Sequence, residues 1–157
     1  VLGVALALGW RAVGAHWLFH LRRLFSGQGW SGLTLPQLQN LSPSEFEEYV
    51  TQHIFVRQGY HAINTPDVKD GGIDVLVYDR YGQQAVVQCK RYRGTGGEAT
   101  VRDLYGTMVG NGATYAYLIT TGEISSAAER WARGKPIELI DGKRLIEISR
   151  IKAPAES

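Results

Sequence analysis

Apolar residues in "LSPSEFEEYVTQHIFVRQGY", residues 41 to 60, recur at the spacing of one helix face: Phe46, Tyr49, Val50, His53 and Ile54. The start of that helix is marked locally. Ser42 is a good N-cap, Pro43 suits the first helical position, and Glu45 completes a capping box with Ser42. Leu41 can staple onto Phe46, and Gly59 marks the end. At about 100° per residue, Glu47 falls at the rim of the apolar face and Glu48 on the far side. From the helix alone, Glu47 reads as a solvated acid.

The period then changes. Ile73 to Tyr78 and Gln83 to Tyr92 read as the two strands of a hairpin. A second helix over 99–109 sets Val101, Leu104, Tyr105 and Met108 at core spacing, and "GNG" at 110–112 stops it. "ATYAYLIT" is a buried strand, "SSAAERWARG" a short helix ending at Gly134, and "IELID" another strand, after which Asp141 can cap a last turn through Leu145. The order α, β, β, α, β, α, β predicts an α/β fold, a mixed sheet flanked by helices. Helix 99–109 then serves as the crossover between parallel strands.

Upstream the pattern is different. "VLGVALALGWRAVGAHWLFHLRRLF" begins with ten residues that are wholly apolar or Gly, and Val13, Trp17, Leu18, Leu21, Leu24 and Phe25 follow at helical spacing. Residues 1–26 therefore predict an apolar to amphipathic N-terminal helix. Three readings stay open: the end of a transmembrane helix whose start is missing, an interfacial helix, or a helix packed on the domain. Trp10 and Trp17 suit a membrane boundary, and Arg22-Arg23 would mark its cytoplasmic side. The Gly/Ser-rich "SGQGWSGLT", residues 26 to 34, sets a boundary. The expected organisation is a segment 1–26, a linker 27–40, a domain 41–148 and a tail 149–157.

Composition alters this picture little. The chain has 157 residues, 44% of them hydrophobic, enough for one domain with a core. The lone Cys89 excludes an internal disulfide and fits a reducing, cytoplasmic compartment. Net charge is +2, but residues 1–44 hold three Arg and no acid, leaving 14 basic against 15 acidic residues in the rest. Nucleic-acid binding thus needs a local cluster rather than bulk charge. Lys90, Arg91, Arg93 and Arg102 supply one, and "RYRGTGG" reads as a loop suited to phosphate contacts.

The hairpin "DGGIDVLVYDRYGQQAVVQCKRYRG" interrupts apolar strands with Asp74, Gln88 and Lys90. Each alone is an ordinary strand-end or edge-strand polar residue. Together they depend on register. A three-residue loop Arg80-Tyr81-Gly82, with Gly in the left-handed position, is expected and places Asp74 across from Gln88, whereas a two-residue loop would place it across from Val87. In the first register a carboxylate, an amide and a lysine converge. Asp74, Gln88 and the Cys89 carbonyl could then hold a hard cation such as Mg²⁺ or Mn²⁺. Such an ion polarises a phosphodiester and lowers the pKa of water, while Lys90 positions the water or stabilises developing charge. Cys89 itself, on the opposite face, reads as a core thiol. His16, His20, His53 and His61 have no metal-ligand spacing.

The pattern D-x13-Q-x-K, preceded by "DGG" and a helix bearing "EFE", resembles the Mrr-like branch of the PD-(D/E)xK nuclease superfamily. The resemblance spans about residues 41 to 148 and includes "GGIDVLVYD", "VVQCKRY", "YLITTGEISSAAERWA" and "IELIDGKRLIEI". It implies a restriction-endonuclease-like fold and a metal-dependent DNA endonuclease. Asp74 would match the metal-binding aspartate and Gln88 the variant second acidic position. Lys90 would match the catalytic lysine, and Glu47 the helix glutamate that supports the metal site. Arg91, Arg93 and Arg102 would face DNA. Members that restrict modified DNA carry a separate recognition domain, which the short apolar N-terminal segment does not resemble. DNA, a membrane contact through residues 1–26 and a second copy in a homodimer are the partners admitted. Two alternatives stand beside this reading: a structure-selective nuclease of the junction-resolvase kind, and a non-catalytic, membrane-tethered DNA-binding module.

Overall fold

The computed structural model describes residues 32–65, 72–91 and 93–151. The chain divides into two units, Val1–Ser31 and Gly32–Ser157. The expected N-terminal apolar helix, and the membrane anchor read from it, lie outside the described residues. Among the described residues no helix is long and apolar enough to cross a membrane.

The second unit begins with α1, Leu35–Asn40, where the sequence predicted linker. Thr34 and Gln37 form a capping box, Pro36 occupies the first turn, and Leu38 is fully buried. Two leucines in six residues are too few to set a period, so only the packing of Leu38 reveals the helix. The next helix, α2, spans Pro43–Tyr49 and starts as expected. The Ser42 hydroxyl accepts from Glu45 N–H at 3.2 Å while the Glu45 carboxylate accepts from Ser42 N–H at 2.8 Å.

Beyond Tyr49 the helix widens into a π-helical turn, Val50–Phe55, then tightens to a 3-10 turn, Val56–Gln58, which Gly59 ends in the left-handed conformation. Widening lets Val50, Thr51, His53, Ile54 and Phe55 all be buried, more than one α-helical face could hold. His53 stacks on Tyr49 at 5.2 Å, and burial beside the Arg57 guanidinium pushes its pKa down.

Five strands form a sheet in the order β1-β2-β3-β5-β7. These are β1 His61–Asn64, β2 Val75–Tyr78, β3 Gln84–Lys90, β5 Tyr115–Thr120 and β7 Ile137–Ile140. The first three are antiparallel and the last three parallel, so the sheet is mixed. The edge strand β1 was not predicted. It is four residues long with little burial, and its Asn64 is fastened to the helix, through the Thr51 hydroxyl and by donating to Glu48 at 3.3 Å. Glu48 is therefore half-buried against β1 rather than pointing away, a correction that follows from the unforeseen strand.

Crossovers α3 (Glu98–Gly110) and α4 (Ser126–Ala132) cover one face of the sheet. Val101, Leu104 and Met108 pack there on Val86, Ala116 and Leu118. A fully buried Leu such as Leu104 or Leu118 contributes roughly 2 kcal/mol of apolar burial. By strand alternation Val87, Tyr117 and Ile119 belong to the other face, where Phe55 meets Tyr117 edge-on at 5.2 Å. Helix α5, Gly142–Ser149, capped by the Asp141 carboxylate, extends beyond the single turn expected. Two short strands, β4 Thr95–Gly96 and β6 Glu123–Ile124, pair in parallel beside the C-terminal ends of β3 and β5.

Candidate active site

The turn between β2 and β3 has the odd length. Val75 pairs with Val87 and Tyr78 with Gln84, while Asp79 N–H donates to Gln83 O at 3.1 Å. Gly82 takes φ +76°, the left-handed residue this loop requires. Continued without interruption, that register would set Asp74 across from Gln88.

It is interrupted. The Asp74 N–H donates to Val87 O at 2.9 Å although Val75 is the ladder partner of Val87. Asp74 and Val75 thus both face Val87, the arrangement of a β-bulge at the start of β2, and the Asp74 side chain is re-aimed. Its Oδ2 accepts from Cys89 N–H at 2.6 Å. Even-numbered positions of β3 bond toward β5, as where Lys90 O accepts from Thr121 N–H at 3.2 Å. By alternation, the N–H and C=O of Cys89 face the side that β2 has left, where Asp74 now sits. The register expectation therefore holds, and the simple cross-strand placement of Asp74 is corrected by the bulge.

Gln88 reaches across the same opening. Its Nε2 donates to Gly72 O at 3.1 Å. A Cβ on Gly72 would lie 2.6 Å from that nitrogen, and Gly72 has φ +68°, so the residue is small for both reasons. Gly72 is the last residue of "DGG"; the first two lie outside the described residues. The Gln88 Oε1 is buried and has no hydrogen-bond partner among the described residues. A buried acceptor left unpaired is costly. An oxygen-seeking cation would satisfy it.

Glu47 stands on α2, which packs against β3. Asp74, Glu47 and Lys90 all act electrostatically on the Cys89 thiol. Burial and the two carboxylates push that thiol well up, and Lys90 opposes them. Cys89 as a residue is half-buried rather than fully in the core. Burial likewise raises the Asp74 carboxyl, with the Cys89 N–H and Lys90 pulling it partly back. Among the described residues no group of three or more His, Cys, Asp or Glu side chains could hold a metal ion. Here the oxygen donors would be one aspartate, one amide and one backbone carbonyl, a set that suits a hard cation.

The basic cluster is dispersed. Arg91 is exposed and donates to Gln39 O at 3.0 Å, and Arg93 donates to Asn40 Oδ1 at 3.3 Å. Both thus lean on α1, beside the site. Arg102 instead pairs with Glu98 along α3 and stacks over Trp131 at 5.7 Å. Tyr92 lies outside the described residues. Sequence reasoning missed Gln39 and Gly72 as a packing surface for Gln88. The "DGG" run hinted at the second, and Thr120-Thr121 was legible as a strand end where ligands gather in α/β folds.

A family model for Mrr-type restriction endonuclease catalytic domains matches residues 38–149. No curated protein matches the chain. Two solved structures are similar in fold. One is AF1548, a protein of unknown function, at 20% identity and TM-score 0.56, covering 68% of this chain and 64% of that one. The other is a repair endonuclease from Pyrococcus abyssi, at 14% identity and TM-score 0.52, covering 73% of this chain and 49% of that one. The chain thus spans less than two thirds of either structure's own length.

Proposed function

The chain belongs to the Mrr-type restriction endonuclease family over residues 38–149, and from that premise we propose a metal-dependent DNA endonuclease that hydrolyses phosphodiester bonds. The observation that carries the metal is the buried Gln88 Oε1, which has no hydrogen-bond partner among the described residues. It stands one residue from the peptide N–H that holds Asp74.

In this reading Asp74, Gln88 Oε1 and the Cys89 carbonyl hold Mg²⁺ or Mn²⁺. When bound, the ion supplies Lewis acidity toward the phosphate and makes water a better nucleophile. The remaining work falls to the chain. Cys89 N–H fixes the Asp74 carboxylate in place. Gly72 O fixes the Gln88 amide so that its oxygen faces the site. Lys90 orients the attacking water or balances charge developing on the phosphate. Glu47 adds the second carboxylate that neutral Gln88 does not provide. Arg91 and Arg93, exposed beside the site, contact the DNA backbone. Arg102 is engaged by Glu98 and is the weakest of the three candidates.

The test is cleavage of plasmid DNA by the whole chain with and without Mg²⁺. The parent cuts, EDTA abolishes cutting, and Lys90→Ala is inactive although folded, a loss of at least about 10²–10³-fold. A Lys90→Ala variant that cuts at the parental rate would overturn the mechanism.

A further inference from the structure

We propose that Gln39 is a positioning residue for Lys90; this rests on the reading of Lys90 given above. Lys90 is the last residue of β3, and strand ends fray unless something holds them. Three hydrogen bonds hold this one. Thr121 N–H donates to Lys90 O at 3.2 Å. Gln39 Nε2 donates to Thr121 O at 2.9 Å. Arg91 donates to Gln39 O at 3.0 Å, and Arg91 is the covalent neighbour of Lys90. The path Lys90, Thr121, Gln39, Arg91 closes on itself, with the catalytic candidate at one corner.

Each corner is held independently. Leu38, fully buried, plants α1 beside Gln39. Gly142 N–H donates to Gly122 O at 2.9 Å, and the Thr120 hydroxyl accepts from Gly122 N–H at 2.9 Å, which fix the loop after β5. Thr120 is also the register partner of Lys90. A second strap, Arg93 to Asn40, runs parallel to the first. The short helix α1 therefore braces the strand end that aims Lys90. Because Arg91 is exposed and a guanidinium has further N–H groups, a DNA phosphate can join Arg91 without opening the ring.

The chemistry separates bracing from mere packing. Gln39→Glu keeps the size but sets an acceptor against the Thr121 carbonyl, whereas Gln39→Lys returns a donor. Gln39 is half-buried, so both variants leave the core untouched. In plasmid cleavage with Mg²⁺, Gln39→Glu lowers kcat about tenfold with KM changed by less than about twofold, the signature of misplacement. Gln39→Lys restores most of kcat.

The second readout needs no metal and no DNA. Hydrogen exchange at the Thr121 amide, which bonds Lys90 O, loses protection by about tenfold in Gln39→Glu and regains it in Gln39→Lys. Parental kcat in Gln39→Glu overturns the proposal. So does an equal kcat loss in both variants, or parental protection of Thr121 in Gln39→Glu. A parent that cuts no DNA defeats the reading of the site instead, and the exchange experiment still decides whether the ring braces the strand.

Discussion

Strand β2 is bracketed by two aspartates in "DVLVYD", and they are used in opposite ways. At one end Asp79 closes the hairpin turn, its Oδ1 accepting from Tyr81 N–H at 2.8 Å and Gln83 N–H at 2.9 Å. At the other, Asp74 accepts from Cys89 N–H, is raised in pKa by burial and lies beside Lys90. Two clefts among the described residues lie by Asp79. A cleft of about 450 Å³ lined by Tyr60, Asp79, Arg80 and Tyr81 lies at the turn, with one of about 250 Å³ lined by Tyr60, Tyr115 and Tyr117 next to it. Neither cleft is lined by Asp74, Gln88 or Lys90. Those clefts are spaces between large aromatic side chains, with an acid already satisfied. The proposed site lies instead at a strand end, which a long, stiff polymer can approach.

The largest expected effect breaks the symmetry of the two acids. Asp74→Asn lowers DNA cleavage by about 10²–10³-fold, because an amide cannot supply the charge a cation needs. The same variant is more stable than the parent when metal-free. A carboxyl raised in the folded state binds protons more tightly there than in the unfolded chain. Its ionised form therefore costs stability above the folded pKa, and stability falls as pH rises from about 3.9 through that raised value. Asparagine imitates the neutral form and still accepts from Cys89 N–H. Thermal melts of metal-free parent and variant at neutral pH measure the gain; a lower melting temperature for Asp74→Asn would mean that the charged form is well solvated in the fold.

The two ends also differ in how far they were legible. The turn end reads directly from local chemistry, since "DRYG" specifies the three-residue loop and Gly82 the left-handed residue. The same holds for the Ser42 cap, the α3 crossover and the parallel pair it creates. The site end was only half legible. Residue types at Asp74, Gln88 and Lys90 were visible, but the bulge arises from tertiary bonding. Asp74 N–H goes to Val87 O, and Asp74 O accepts from Thr65 N–H at 3.1 Å, just past the unforeseen β1. No local period encodes either bond. Gln39 was illegible for the same reason. It belongs to a helix of six residues with one buried side chain, in a stretch that reads as linker.

Two glycines make a sharper comparison than two acids, because their backbone demand is nearly the same. Gly72 has φ +68° and Gly82 φ +76°. Alanine at either position is strained by about 1 kcal/mol or more. At Gly82 an added Cβ meets nothing within 4 Å. At Gly72 it meets the Gln88 amide at 2.6 Å. Gly82→Ala should therefore lower stability alone, with kcat unchanged. Gly72→Ala should lower stability similarly and cut DNA cleavage by roughly tenfold, since it displaces the Gln88 oxygen. Equal kcat in both variants would show that Gln88 is not held by Gly72 in the working enzyme.

The smallest expected effect bears on the larger cleft. Tyr81 is 74% exposed at the hairpin tip, and its ring lies under Arg80 at 5.1 Å. An exposed cation–π pair of this kind contributes at most about 0.5–1 kcal/mol. Its backbone N–H, not its side chain, bonds Asp79. Tyr81→Ser thus keeps the turn, shifts stability by no more than about 0.5 kcal/mol and leaves plasmid cleavage at the parental rate. The measurement matters because the result is expected to be null. A tenfold fall in kcat in Tyr81→Ser, with melting unchanged, would move the substrate to the turn end and place Asp79 rather than Asp74 beside it.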